Sequence, residues 1–404
     1  MITPRPYQLE GRDFLAGRRH ALLGDEMRVG KTGQAILAAH KAGATSMVVV
    51  TRAIAVPQWE REIERWWPSG SLPRRAVLSY ERATSLWKDG LRGRTDVFIP
   101  DECHFAKNPE AARTKMVYGK DGFAWNAGAT WALSGTPAPK HAGELWPMLR
   151  AFGVVGATYD EFVRHYCTQD FTGRITGTKV KHIPELKQIL AKVMLRRTRK
   201  QVAPEMPDIG FNFLTVEYEK GVDYQVYGDD DDSLAAWVES HQDFDREDRI
   251  AVANAKVPRL ADEIEFAVTN GLLKQTVVFG WHVEPLTRLT DRLLERGLTS
   301  ACINGQSLPR AKEYAQNAFR QGEIQVICAN INTAGTAIDL SAANHGYFLE
   351  LAWVPGDNAQ AANRLVSMSK SDPVTLDVVT MPDTADDRVQ KVLLRRTQEL
   401  ANLY

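Results

Sequence analysis

Short apolar runs, separated by longer segments with helical spacing, constrain the fold of this chain more than any other feature. Runs of strand length occur at residues 47–50, 97–99 and 131–133, and the segments between them carry apolar residues one helical turn apart, such as Trp59 and Ile63. Strands that alternate with helices form parallel sheets, because each helix returns the chain to the same edge of the sheet. The sequence therefore predicts an α/β fold with a parallel sheet in the first half of the chain.

The same alternation restarts in the second half. Further runs of strand length stand at residues 276–279, 301–303, 326–328, 347–349 and 374–379. With 404 residues, of which 44% are hydrophobic, the chain is long enough to bury two ordinary cores. We therefore expect two α/β domains with parallel sheets, at residues 1–205 and 259–404.

Residues 206–258 separate the two predicted domains and differ from them in composition. They contain four consecutive aspartates at 229–232 and a second charge-rich stretch at 243–249. Runs of like charge usually form solvated loops. We expect a linker or a small insertion there, without chemistry of its own.

Charge, cysteine content and hydropathy narrow the functional classes. The chain has 50 basic and 50 acidic side chains and a formal net charge of zero, so contact with nucleic acid has to come from local patches. The 4 cysteines form no Cys-x-x-Cys pair, which argues against a zinc ribbon or a disulfide framework. The sequence shows neither an apolar signal core nor a run of roughly eighteen apolar residues that would suit a membrane helix. We expect a soluble intracellular protein with reduced thiols and no membrane association.

A Gly-Lys-Thr triplet marks a candidate phosphate-binding loop near the amino end. It follows the apolar run 21–23 and precedes a helix-forming stretch at 34–39. Such a turn directs backbone N–H groups and the helix dipole at phosphate oxygens, with Lys31 supplying a charge and Thr32 a hydroxyl for Mg²⁺. The triplet alone is a weak signal, and Asp25 stands at the position of the usual first glycine. The residues assigned to ATP binding in this loop are Asp25, Glu26, Met27, Arg28, Val29, Gly30, Lys31 and Thr32.

Two carboxylates and two hydroxyl residues supply context for the loop. Asp101 and Glu102 directly follow the run 97–99, and ligands of open α/β sheets bind at the carboxyl ends of strands. Asp101 is assigned to the Mg²⁺ shell, and Glu102 is assigned to orienting and deprotonating the attacking water. Ser134 and Thr136 follow the next apolar run and are assigned to sensing the γ-phosphate. Together the three segments predict a site that hydrolyses ATP.

In this order, the motifs resemble those of superfamily-two helicases, and further details resemble the Swi/Snf-type ATPases. The resemblance covers nearly the whole chain, and the combination of motifs is highly specific. The further matching segments are 6–11, which looks like the adenine-reading motif with Gln8; 101–104 followed by Lys107-Asn108; 134–137 followed by Glu144-Leu145-Trp146; 195–202; 303–305 with Arg310 and Phe319; 350–356; and 384–387. The residues of the last two segments look most similar to those of the HepA-related annealing helicases.

The resemblance implies two RecA-like domains with ATP in the cleft between them, and a motor that translocates on DNA. It implies remodelling, branch migration or annealing of duplex or branched DNA, in replication, recombination or repair, rather than processive unwinding. DNA phosphates would be contacted without base specificity by Thr51, Arg52, Ser79, Tyr80, Asn304 and Trp353. His104, with Ser134 and Thr136, would couple the nucleotide and DNA sites. We expect a monomer in the cytoplasm of a bacterial cell or a phage-infected host.

Two departures from the family pattern bear on catalysis. Arg28-Val29-Gly30 stands where the family has Gly-Leu-Gly, which places a charged side chain beside the phosphates. Ser367 stands where the family has its second arginine, the arginine finger, three residues after Arg364. An arginine finger accelerates hydrolysis roughly a thousandfold to a hundred-thousandfold. Either Arg364 takes over this catalytic role, or the chain hydrolyses ATP slowly.

Two alternative functions therefore stay open. Loss of the arginine finger is compatible with a nucleotide-gated clamp, which binds ATP and DNA and scarcely hydrolyses ATP. The segment at 51–53 superficially resembles a motif of RNA helicases, although Lys107-Asn108 and Glu144-Leu145-Trp146 favour the DNA motor.

Aromatic and basic side chains leave two smaller questions. Trp66, Trp67, Trp125 and Trp131 suit core packing better than base stacking on a single strand. The basic residues at 196–197 and 199–200 are compatible either with phosphate binding or with packing and ion pairs at the domain boundary.

Overall fold

The chain divides into two units, which are Met1–Pro204 together with Glu399–Tyr404, and Glu205–Gln398. The computed structural model describes residues 3–68, 70–91, 93–217, 245–334, 338–367, 370–382 and 384–403. The aspartate run at 229–232, expected to be a solvated loop, lies outside the described residues. In the part of the chain that the structure describes, no helix combines the length and the apolar character needed to cross a membrane.

A six-stranded parallel sheet forms the centre of the first unit. In chain order the strands of this unit are β1 (His20–Leu23), β2 (Ser46–Thr51), β3 (Arg74–Ser79), β4 (Thr95–Pro100), β5 (Ala127–Leu133), β6 (Cys167–Gln169), β7 (Ile175–Thr178) and β8 (Met194–Leu195). Across the sheet the order is β3-β2-β4-β5-β1-β8, while β6 and β7 form a separate antiparallel hairpin.

Helices cover both faces of this sheet. They are α1 (Pro6–Ala16), α2 (Lys31–Lys41), α3 (Val56–Trp66), α4 (Tyr80–Lys88), α5 (Ala112–Tyr118), α6 (Phe123–Asn126), α7 (Trp146–Ala151), α8 (Tyr159–Tyr166), α9 (Ile183–Ala191) and α10 (Arg199–Val202). Side chains alternate across a strand, so each central strand contributes to two apolar layers. Phe98 packs in one layer, and Val97 and Ile99 pack in the other.

The second unit has a parallel sheet of its own. Its strands are β9 (Ile209–Thr215), β10 (Thr276–Gly280), β11 (Ser300–Ile303), β12 (Val326–Asn330), β13 (His345–Phe348) and β14 (Val374–Thr380), in the order β11-β12-β10-β13-β14-β9. Its helices are α11 (Asp245–Thr269), α12 (Val283–Glu295), α13 (Pro309–Gln321), α14 (Ile331–Ala334), α15 (Pro355–Ala362) and α16 (Ala385–Leu403). The two predicted parallel α/β sheets are confirmed.

Residues 206–258, assigned from the sequence to a linker or insertion, contribute two elements to the second unit. β9 pairs in parallel with the full length of β14, and Val252 and Val257 of α11 pack in the core. Composition did not reveal β9 because it is an edge strand with mostly exposed side chains, including Phe211 and Phe213. The charged start of α11 concealed the buried side of that helix.

The tryptophans pack mostly as expected. Trp131 is 1% exposed and its indole N–H donates to the carbonyl of Arg18 at 2.9 Å. Trp66 and Trp67 pack against the same apolar layer. Trp125 differs, since it is 51% exposed.

Candidate active site

Three neighbouring strands, β4, β5 and β1, end side by side at one edge of the first sheet. At this edge Leu133 pairs with both Leu23 and Asp101. Because the strands are parallel, the loops that follow them meet there, and each loop carries one of the predicted motifs. The phosphate loop, the carboxylate pair and the 134–137 segment are therefore neighbours.

The phosphate loop, residues 25–30, folds around the ammonium group of Lys31. Lys31 Nζ donates hydrogen bonds to the backbone carbonyls of Asp25 and Glu26, at 2.8 and 2.9 Å. Burial lowers the pKa of Lys31, while nearby carboxylates act in the opposite direction. Gly30 precedes the first residue of α2, so the amino end of this helix opens onto the loop. A phosphate at this place would meet both the helix dipole and the lysine charge.

Arg28 adopts a backbone conformation that side chains seldom take, with φ 68°. Glu102, with φ 48°, is the other non-glycine position with positive φ within the described ranges, and both belong to the predicted site. The left-handed conformation costs an L-residue about 1–2 kcal/mol, and such strain concentrates at binding sites. The loop thus keeps a glycine-type conformation at the position where Arg28 replaces the family's glycine.

Gln8 lies against the phosphate loop and is 2% exposed. Its Oε1 accepts a hydrogen bond from the backbone N–H of Arg5 at 2.9 Å, whereas Nε2 has no hydrogen-bond partner among the described residues. A Cβ built on Gly30 would lie 2.4 Å from this Nε2, so a larger residue at position 30 would displace the amide of Gln8. A buried donor without a partner costs about 1–3 kcal/mol, and such donors are typical of sites that bind a ligand.

Asp101 is fixed by hydrogen bonds from buried side chains. Its Oδ2 accepts hydrogen bonds from Thr51 Oγ1 at 2.9 Å and Trp59 Nε1 at 2.7 Å, and Tyr80 donates to its backbone carbonyl at 2.9 Å. Burial, followed by the neighbouring Glu102, raises the pKa of Asp101 to about 6. Thr51 and Tyr80 were predicted to contact DNA; both are buried and bind Asp101, and their contact with DNA stays a prediction.

The three predicted coupling residues form one hydrogen-bonded group. His104 Nδ1 lies 3.0 Å from Ser134 Oγ, which accepts the backbone N–H of Thr136 at 3.1 Å. Burial, followed by Lys107, lowers the pKa of His104 to about 3, so this imidazole is neutral at neutral pH. The 3.4 Å separation from Glu102 Oε2 is therefore no ion pair, and this oxygen finds no hydrogen-bond partner in the described structure.

Asp25 turns its carboxylate away from the phosphate loop and binds Arg197. The carboxylate is fully buried and accepts from Arg197 Nη2 at 2.6 Å and Nε at 3.1 Å, while Nη1 donates to the carbonyl of Tyr7 at 2.7 Å. Asp25 was predicted to bind the nucleotide, yet only its backbone carbonyl faces Lys31. Sequence reasoning missed Arg197 as its partner, although a buried carboxylate at a glycine position requires a cation nearby.

Neighbouring basic residues also bind inside the first unit. Arg196 Nη1 donates to the carbonyls of Gly24 and Gly135, both at 2.9 Å. Glu26, another predicted nucleotide residue, accepts the backbone N–H of Arg199 at 2.7 Å. Of the two interpretations of the arginines at 196 and 197, the structure favours internal binding.

Three predicted DNA contacts are partly exposed. Ser79 caps the first turn of α4, and the guanidinium of Arg52 lies 5.0 Å from the ring centroid of Phe105. Asn304 accepts a backbone hydrogen bond in the turn after β11. Their contact with DNA stays a prediction.

Trp353, also predicted to contact DNA, is packed into the second unit. It is 8% exposed and clusters with Val389 and Leu393, and Arg249 lies over its ring at 4.9 Å. Little of the ring is exposed, and its contact with DNA stays a prediction.

Arg364 and Ser367 lie in the second unit, at and just after the 3-10 turn Asn363–Leu365. Lys370, which was not identified from the sequence, stabilises this segment by hydrogen bonds. Its Nζ donates to three backbone carbonyls, among them that of Leu365 at 2.9 Å, and burial lowers its pKa to about 8.

Comparison with known families identifies the group to which the chain belongs. Residues 7–100 and 82–246 match the sequence profile of the SNF2-related domain, which together is more than half of the chain. The chain belongs to the SNF2-related family. Residues 255–368 match the helicase conserved C-terminal domain. The predicted Swi/Snf resemblance, with two RecA-like domains, is confirmed.

Relatives of this SNF2-related chain include annealing helicases. The DNA annealing helicase and endonuclease ZRANB3 of Bos taurus is 26% identical over 439 residues, which are 97% of this chain and 40% of that protein. The SWI/SNF-related matrix-associated actin-dependent regulator of chromatin subfamily A-like protein 1 of Xenopus tropicalis is 25% identical over 431 residues, which are 98% of this chain and 44% of that protein. The chain thus spans less than half the length of these relatives.

A solved structure of similar extent is the Sulfolobus solfataricus SWI2/SNF2 ATPase core in complex with dsDNA. It is 18% identical, with a TM-score of 0.47, and the match covers 99% of this chain and 92% of that chain.

Proposed function

We propose that this SNF2-related chain is a DNA-dependent ATPase that moves along duplex or branched DNA and remodels, branch-migrates or anneals it. The observation that carries the proposal is the convergence of the phosphate loop, the carboxylate pair and the His104–Ser134 hydrogen bond at one sheet edge. The name of the ZRANB3 relatives supports DNA as the substrate and annealing as one outcome. For the same reason we propose a role in DNA repair or recombination.

The residues of the candidate site fit ATP with Mg²⁺. Gln8 offers a buried donor without a partner in the described structure, and Lys31 offers a cation at a helix end. Thr32 and Asp101 carry the oxygen atoms that would hold Mg²⁺, which prefers oxygen ligands. When bound, ATP would supply the phosphoryl group whose transfer to water drives such motors, and Mg²⁺ would neutralise the charge that develops on the phosphate oxygens.

The chain's own residues would then bind phosphate, accept a proton and transmit a shift of Glu102 to the 134–137 segment. Lys31 would exchange the carbonyls of Asp25 and Glu26 for phosphate oxygens. Glu102 Oε2, which accepts no hydrogen bond from the described residues, would take the proton of the attacking water. His104 lies between Glu102 and Ser134, so a shift of the glutamate reaches the 134–137 segment.

Ser367 favours a second candidate function, the nucleotide-gated clamp. A serine cannot supply the charge that an arginine finger places on the transferred phosphoryl group. In the clamp, ATP binding alone would govern the grip on DNA. In the motor, Arg364 would supply the charge in place of the missing finger.

Steady-state ATP hydrolysis with double-stranded, single-stranded and forked DNA tests the proposal. We expect DNA to stimulate hydrolysis and Lys31→Ala to lower the rate roughly a hundredfold or more, since one well-placed electrostatic donor is worth that much. Lys41→Ala is the matched control, because Lys41 lies on the same helix but is exposed and paired with Asp13. A rate of ATP hydrolysis that DNA does not increase, or that RNA increases equally well, contradicts the proposal.

Ser367→Arg separates the motor from the clamp. A slow wild type that this substitution accelerates roughly a thousandfold indicates a clamp that lacks only its arginine finger. A DNA-stimulated wild type that changes less than roughly tenfold indicates a motor that uses Arg364.

The monomeric state and the origin in a bacterial cell or a phage-infected host stay predictions. The relatives named above are animal proteins.

A further inference from the structure

Two histidines and a glutamate come together on the first unit and take no part in the site described above. His165 lies near the end of α8, His182 ends the 3-10 turn Val180–His182, and Glu185 lies in the first turn of α9. Within the described ranges, they form the one group of histidine, cysteine or acidic residues whose ligand atoms all lie within 4.8 Å of one another.

The ligand atoms have the spacing that a small metal ion requires. His165 Nε2 lies 2.9 Å from Glu185 Oε2, and His182 Nδ1 lies 3.7 Å from the same oxygen. The two imidazole centroids are 4.1 Å apart. Zinc bonds of about 2.0–2.1 Å in a tetrahedron place ligand atoms about 3.3–3.4 Å apart. The two observed distances lie on either side of that value, so small side-chain rotations would bring both atoms to it.

Tyr166 fixes the orientation of the glutamate. Its hydroxyl donates to Glu185 Oε1 at 2.8 Å, which leaves Oε2 directed at both imidazoles. Ligating carboxylates in metal sites are commonly held in this way by an outer hydrogen bond. A surface ion pair explains this arrangement less well than a metal site does. His182 Nδ1 lies 3.7 Å from the oxygen that it faces, which is beyond hydrogen-bond distance.

We propose that His165, His182 and Glu185 bind a divalent transition-metal ion, with Zn²⁺ the best match to the ligand set. Two imidazole nitrogens and one carboxylate oxygen suit Zn²⁺, whereas Mg²⁺ and Ca²⁺ take oxygen ligands. The side chains are 46%, 23% and 52% exposed, so the ion enters from solvent and a water completes its coordination. The ion joins the end of α8 to the start of α9, two helices that the β6–β7 hairpin separates in the sequence.

Binding of Co²⁺ to the full chain, in excess Mg²⁺ and without nucleotide, tests this proposal. Co²⁺ replaces Zn²⁺ and gives visible d–d absorption, and thiolate ligation would add a charge-transfer band in the near ultraviolet. We expect one Co²⁺ per chain, displaced by Zn²⁺, with no thiolate band. That spectrum separates the proposed site from binding by cysteine.

Variants assign the binding to the three residues. Glu185→Gln keeps the shape of the side chain and its hydrogen bonding to Tyr166, and we expect it to weaken Co²⁺ binding at least roughly tenfold, as His165→Ala should. Tyr166→Phe should weaken binding by roughly the same factor without removing a ligand. His40→Ala, which removes a histidine of α2 outside the cluster, should bind Co²⁺ like the wild type.

A second readout is thermal unfolding with Zn²⁺. Zn²⁺ should raise the melting temperature of the wild type and of His40→Ala by more than that of Glu185→Gln, because stabilisation by a ligand becomes smaller as its binding weakens. Co²⁺ binding that survives both His165→Ala and Glu185→Gln, a thiolate spectrum, or no binding at millimolar Co²⁺ overturns the proposal.

Discussion

Glu102 in the first unit and Glu350 in the second both follow a central strand, but their carboxylates are bound very differently. Glu350 is 3% exposed and accepts the backbone N–H groups of Trp281 at 3.2 Å and His282 at 2.9 Å, and it lies 2.7 Å from His282 Nδ1. Burial is the largest single effect and acts to raise its pKa, but the hydrogen bonds and charge of His282, together with the charge of Arg249, outweigh burial and hold that pKa below its usual value. Glu102 Oε2 lacks a hydrogen-bond partner in the described residues, and its backbone is left-handed.

The difference separates a structural carboxylate from a reactive one. Both glutamates stand in segments that resemble family motifs, so the motifs alone treat them alike. The hydrogen bonds of Glu350 are already made by its own unit, which leaves little for a ligand. An unmade hydrogen bond together with local strain is instead typical of a functional site, which is what we propose for Glu102.

The largest effect that this comparison predicts is on catalysis by Glu102. Glu102→Gln should lower DNA-stimulated ATP hydrolysis roughly a hundredfold to ten-thousandfold, because an amide cannot accept the proton of the attacking water. The free energy of unfolding should change by less than about 0.5 kcal/mol, since no hydrogen bond to Oε2 is lost. Glu110→Gln, at an exposed carboxylate paired with Lys115, is the control. A rate within roughly tenfold of wild type would remove Glu102 from the role of base.

Glu350 should show the opposite pattern, a loss of stability. Glu350→Ala leaves the donors of His282 unpaired and removes the carboxylate that lies 3.8 Å from Arg249, so we expect a loss of about 3–5 kcal/mol in the free energy of unfolding. Urea denaturation measures this loss. Glu295→Ala, at an exposed position at the end of α12, should change it by less than about 0.5 kcal/mol. Equal stability of the two variants would contradict the structural role of Glu350.

His104 makes the candidate site sensitive to acid. Its pKa is about 3 in the folded protein against 6.5 for an ordinary histidine. Between these values the unfolded chain binds a proton that the folded chain does not, so stability falls as the pH drops through this window. From pH 7.5 to 5 the wild type should lose about 2 kcal/mol more than His104→Asn, as measured by urea denaturation. Parallel losses in the two proteins would show that His104 is not the responsible group.

The smallest expected effect concerns the strained backbone at Arg28. Arg28→Gly and Arg28→Val remove the same guanidinium, but only glycine adopts φ 68° without steric cost. The valine variant should therefore unfold about 1–2 kcal/mol more easily than the glycine variant. Urea denaturation of the two variants measures the difference. If valine is tolerated as well as glycine, the loop is not held in the left-handed conformation.

Prediction from the sequence succeeded where neighbouring residues carry the signal. The strands of both sheets were indicated by short apolar runs, and the motif residues follow these strands directly, so strand order brings Lys31 near Asp101 and Glu102. β9 escaped prediction because its edge position leaves Phe211 and Phe213 exposed, which removes the apolar alternation that identifies a half-buried strand.

By itself the sequence determined the two α/β sheets, the phosphate loop and the carboxylate pair, because each depends on residues within a few positions of one another. Only the tertiary structure decided which polar side chains are buried and what they bind. Arg197 reaches Asp25 across 172 positions, and Thr51 lies beneath Asp101 rather than at the surface. Burial and long-range pairing depend on how elements that are distant in the sequence pack together. Local periodicity and motif spacing do not determine that packing.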